Sequence, residues 1–131
     1  MKIIKIAALI LIAVFTFVYF NFLSSYVFPW QEKDAIKLAT DWGGLSNIPK
    51  NAKNIEVEKE GSTFTKTYII EFNSTKSEID NWIETSKRLK SSKPKIENGK
   101  ILFEIYPGEK ASFGGKVEIE KNKVKIKMSW S

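Results

Sequence analysis

The chain has 131 residues, with 21 Lys and Arg against 15 Asp and Glu, for a net charge of +6. It has no cysteine and no histidine, which removes disulfides, thiolate chemistry, the usual general base at neutral pH and the commonest transition-metal ligand. Basic and acidic residues are interspersed, which suits a solvated surface and not the dense basic face that nucleic acid requires.

Ile6 to Leu23 carries no charge, and its clearly polar residues are only Thr16 and Asn21. As a helix this run covers about 27 Å, close to a hydrocarbon core of about 30 Å. Lys2 and Lys5 precede it, and the first charges beyond it are Glu32, Lys33 and Asp34. This asymmetry predicts a single-pass helix over residues 1–28, with the N-terminus cytoplasmic and the C-terminal part outside. A cleaved signal peptide is the competing reading. The apolar run is too long for one, and cleavage after Ser24 or Ser25 would put Phe22 or Leu23 where a small residue is needed. The sequence therefore reads as a retained signal-anchor, with Tyr19, Tyr26 and Trp30 suited to an outer aromatic belt.

Pro29 to Trp42 predicts a short helix, with Ala35, Leu38, Ala39 and Trp42 on one apolar face and Gly43-Gly44 as its stop. With the connector that follows, it forms a juxtamembrane segment over residues 29–48. The remainder, 49–131, is one small extracytoplasmic domain. Ile55 to Glu58 and Thr65 to Phe72 alternate apolar and polar residues and flank a turn at Glu60-Gly61-Ser62-Thr63, predicting an antiparallel hairpin. Lys76 to Lys90 predicts one helix, opened by a Thr75/Glu78 capping box and carrying Ile79, Trp82, Ile83 and Leu89 on its buried side.

Lys100 to Tyr106 predicts a strand with apolar residues on both faces, and so an inner position. Lys116 to Trp130 predicts a second hairpin. A two-residue turn at Lys121-Asn122 sets Ile119 against Val124, Val117 against Ile126, Glu120 against Lys123 and Glu118 against Lys125. The same register sets Lys116 against Lys127, a like-charge pair. The expected fold is α+β: an N-terminal transmembrane helix, then a five-stranded antiparallel sheet in the order β-β-α-β-β-β with one helix packed across it.

The densest basic run is Lys87, Arg88, Lys90, Lys93 and Lys95, around a helix end where cations also complement the dipole. It is the first candidate contact for an anionic lipid, a polymer or an acidic protein. Phe113, in the loop Pro107–Gly115, is the second, against the simpler expectation that it folds onto the core. Lys123, Lys125 and Lys127 read as guards of an edge strand. Glu78, Asp80 and Glu84 beside basic residues read as a solvated helix surface. Ser86, Ser91 and Ser92 lack a histidine partner. No catalytic, metal or cofactor residues are assigned. The function expected is a membrane-anchored binding module. The alternative is a small surface hydrolase or transferase using Ser/Lys or paired carboxylates, which would need those groups to converge in a concave site.

Overall fold

In the computed structural model, which describes residues 1–61 and 64–131, the apolar run forms helix α1 (Lys2–Val18) and continues into one π-helical turn, Tyr19–Leu23. Lys2–Asn21 is long and apolar enough to cross a membrane. Within it Thr16 and Asn21 bond to the helix itself, Thr16 Oγ1 donating to Ile12 O and Asn21 Nδ2 to Phe17 O, each at 2.8 Å. Each thereby returns a polar hydrogen to a carbonyl of its own helix, which lowers the cost of an apolar surrounding. The other side chains of α1 are left uncovered by the rest of the chain; Leu9 and Phe15 are both about two-thirds exposed.

The chain then folds straight onto the domain. Tyr26 forms a β-bridge with Glu58, and Lys59 N–H donates to Ser25 O at 3.0 Å. Val27 is buried in the core. Lys59 Nζ also donates to Asn21 O at 3.3 Å. Burial, and then the charge of Lys66, lower the pKa of this ammonium.

A 3₁₀ turn at Pro29–Gln31 leads into α2 (Glu32–Gly43), which ends where Gly44 takes left-handed φ/ψ of 58°/38°. Ala35, Ala39 and Trp42 are buried as the spacing predicts, while Leu38 stays 38% exposed. The strands are β1 (Lys53–Gly61), β2 (Lys66–Asn73), β3 (Lys95–Glu97), β4 (Lys100–Ile105), β5 (Gly114–Glu120) and β6 (Lys123–Trp130). They form one antiparallel sheet ordered β1-β2-β6-β5-β4-β3. Of the turn predicted between β1 and β2, Ser62 and Thr63 lie outside the described residues.

The sheet has six strands, not five. The extra one, β3, pairs Lys95, Ile96 and Glu97 with Leu102, Ile101 and Lys100. It turns back through Asn98 and Gly99, both at positive φ, the two-residue turn that an Asn-Gly pair favours. β4 accordingly has neighbours on both sides but sits next to the sheet edge.

The predicted β5–β6 register holds at every pair named, including Lys116 opposite Lys127. The edge position expected for β6 does not: β2 pairs along its whole length, placing it at the centre of the sheet. Its lysines answer carboxylates across the strands, Lys123 and Lys125 reaching Glu71 at 3.2 and 3.8 Å and Lys127 reaching Glu60 at 3.7 Å.

The single helix predicted over Lys76–Lys90 is two, α3 (Lys76–Thr85) and α4 (Lys87–Ser91). Thr75 Oγ1 accepts from Glu78 N–H at 3.2 Å, the Thr half of the capping box. Between the helices Ser86 is extended, at φ −84° and ψ 109°, and wholly buried. The connector after α2 imposes this break. Ser46 N–H donates to Ser86 Oγ at 2.9 Å, Ser46 Oγ donates to Thr85 O at 2.6 Å, and Trp82 Nε1 donates to Ser46 O at 3.0 Å. Trp82 is 2% exposed and meets Phe72 edge-on at 5.8 Å, while Ile83 is only half-buried. The helices thus cover one sheet face, where Ile70, Phe72, Ile105, Val117, Val124, Ile126 and Met128 are buried. The other face carries no helix.

Candidate binding face

The uncovered face follows from strand alternation. The inner strands turn most of their apolar residues to the helices, with Ile69 and Leu102 on the opposite face, where Glu71 on β2, Lys123, Lys125 and Lys127 on β6, Lys116 and Glu118 on β5 and Glu104 on β4 also project. Most of these charges are balanced across strands: Lys100 lies 3.7 Å from Glu120 and Lys95 lies 3.4 Å from Glu104. At one end Lys116 has no ion pair among the described residues, while Lys125 and Lys127 are paired with the carboxylates of Glu71 and Glu60. Lys116, Lys125 and Lys127 gather around Glu118 and Ser129 in a groove of about 350 Å³, closed by Tyr106 and Phe113. Those two rings meet edge-on at 5.3 Å and stay 47% and 60% exposed.

Phe113 therefore does not fold onto the core; the loop that carries it is pinned instead. The carbonyl of Trp42, at the end of α2, accepts from Glu109 N–H at 2.7 Å and from Ser112 Oγ at 3.3 Å. Phe113 N–H donates to Ser129 O at 3.1 Å. Lys110 reaches Asp41 at 3.1 Å, and Lys37 reaches the same carboxylate at 2.9 Å. The hydrogen bond from Lys37 and the neighbouring Lys110 hold the Asp41 carboxyl below its ordinary pKa, against an opposing effect of burial. Lys110 and Ala111 both have positive φ, 54° and 61°, a conformation that costs a non-glycine residue about 1–2 kcal/mol.

The basic run divides. Arg88 braces the loop, Nη2 donating to Pro107 O at 2.8 Å and Nη1 pairing with Glu109 at 3.1 Å. Lys95 sits on β3 with Glu104. Lys87, Lys90 and Lys93 are exposed, with no ion pair among the described residues. Of the residues singled out from sequence, the structure links Arg88 to the loop of Phe113. Tyr106, Lys116, Glu118 and Ser129 were not singled out. The one signal for them was the Lys116–Lys127 pair, because like charges set opposite one another carry a cost, which Glu60 offsets at Lys127 and nothing among the described residues offsets at Lys116. Among the described residues no group of three acidic side chains is placed to hold a metal ion. Compared with known proteins, the chain matched no family model, no curated protein and no solved structure.

Proposed function

We propose that this chain is a membrane-anchored, non-catalytic binding module, held by α1 with its N-terminus in the cytoplasm and its sheet domain outside. The groove at Tyr106 and Phe113 would receive an acidic segment of another extracytoplasmic protein. One observation carries this reading: an exposed phenylalanine stands on a loop fixed by its own backbone, by Arg88 and by Asp41, beside three lysines. A mobile loop would spend ordering entropy on binding, whereas a braced one presents its aromatic ready-placed. Strained residues such as Lys110 and Ala111 concentrate where a loop is held for a purpose. Lys116, with no ion pair among the described residues, supplies the sign of the partner, and the paired rings supply its apolar anchor.

The test uses the full chain in discs of zwitterionic lipid with polyglutamate as the probe. Retention is expected at low salt and is expected to fall with added salt. Phe113→Ala combined with Lys116→Glu should weaken it, while charge reversal at Lys87, Lys90 and Lys93 should leave it unchanged. The opposite pattern, with the reversal abolishing retention and the groove variant binding as before, would move the contact to the basic run.

A further inference from the structure

The exit of α1 does not lead into a leash. Five aromatic side chains between Tyr19 and Trp30 form a connected file: Tyr19 on Phe20 at 5.4 Å, Phe20 on Phe28 at 5.9 Å, Tyr26 on Phe28 at 5.2 Å, and Phe28 stacked on Trp30 at 4.6 Å and 9°. The chain thereby doubles back beside its own helix. A groove of about 610 Å³ opens between them, walled by Ala13, Phe17 and Phe20 on one side and Phe28 and Trp30 on the other. Trp30 remains 73% exposed.

From Ala13 to Asn21 the helix rises about 12 Å, so the groove runs down the outer end of the apolar segment. If α1 spans a bilayer, the groove opens among lipid and not in water. Its walls are mainly apolar; of the three polar lining residues, Thr16 and Asn21 bond to their own helix, and Gln31 is the third. Beside the helix exit a second groove brings together Leu23, Lys59, Lys66, Phe64, 82% exposed, and Trp130, 45% exposed. Aromatic rings with nearby lysine ammonium groups are the side chains that settle at a headgroup boundary.

We propose that the domain is seated in the outer leaflet, with Trp30 wedged beside α1 and the upper part of a phospholipid acyl chain occupying the groove between them. This rests on the anchoring reading given above. The occupant is a lipid chain because the groove is continuous with the apolar surface of α1 and is walled by residues of the spanning run itself. Bridged to β1 through Ser25 and Tyr26, the anchor holds the sheet domain in one orientation to the membrane.

The experiment reconstitutes the full chain as Trp130→Phe in phosphatidylcholine brominated either high or low on its acyl chains, and follows tryptophan emission. Trp42 and Trp82 are buried in the domain, which leaves Trp30 as the ring open to lipid. Bromine placed high on the chains should quench emission more than bromine near the methyl ends, and adding Trp30→Phe should remove most of that loss. Protease digestion of the same discs reports the anchor separately. A protected N-terminal fragment with no Trp30-dependent quenching overturns the seating alone; no protected fragment overturns both readings. A second copy is the rival occupant. Ala13→Cys in this cysteine-free chain would then cross-link to dimers while quenching at Trp30 is lost, which also overturns the proposal.

Discussion

Gly44 and Arg88 show how single residues position the candidate face. Gly44 ends α2 at φ +58°, and a methyl group there would overlap the Arg88 side chain. Arg88 N–H in turn donates to Gly44 O at 3.2 Å, and its guanidinium holds Pro107 and Glu109. Gly44→Ala therefore meets two penalties. The left-handed backbone costs about 1–2 kcal/mol, and Arg88 must shift off the loop. A lowered melting temperature is expected, with faster amide exchange over 107–113; unchanged exchange would mean that Arg88 does not brace the loop. Asp41 gives the corresponding pH dependence. Its folded pKa is depressed from 3.8, so its stabilisation is present above that ordinary value and is lost as pH falls through the depressed one. Asp41→Asn should cost about 1 kcal/mol or less at neutral pH. In thermal melts the gap between parent and variant should persist at the ordinary carboxyl pKa and close as the pH is taken below it.

At the scale of elements, the break between α3 and α4 is set from outside the helix. A buried serine at the centre of a capped helix reads locally as a small residue on the apolar stripe. What opens the helix there is Ser46, forty residues earlier, whose amide needs an acceptor. Ser86→Ala should leave that N–H unpaired at about 1–3 kcal/mol, whereas the exposed Ser91→Ala should change the melt far less. The same distinction explains what was legible. The β5–β6 register, the capped start of α3 and the apolar face of α2 are local patterns, and residues a few positions apart express them. β3 was legible too, in Asn98-Gly99, but its side chains are all exposed, so no alternation drew attention to it. The central place of β6 depends on β2 pairing with a strand more than fifty residues away, and no local period encodes that. Phe113 stood out by composition, but the groove around it exists only once the register brings Lys116, Lys127 and Tyr106 together.

For the whole molecule, the segment between α1 and the sheet domain is part of the fold. β1 is an outer strand, and an unguarded edge is a template for pairing with another chain. Here Tyr26 bridges to Glu58 and Lys59 N–H bonds to Ser25 O, while Val27, 5% exposed, enters the core. Two soluble chains separate these contributions from that of α1. One begins at Ser24 and keeps the bridge and Val27; the other begins at Gln31 and keeps neither. Losing a buried valine costs about 1.5–3 kcal/mol, which is large for a domain of this size with no disulfide. The shorter chain should melt at a clearly lower temperature, and its bared β1 edge should make it self-associate in sedimentation as concentration rises. The longer chain should remain monomeric. Equal melts and equal sedimentation for the two would mean that the segment only connects, and that the orientation of the domain relative to α1 is not fixed by the chain between them.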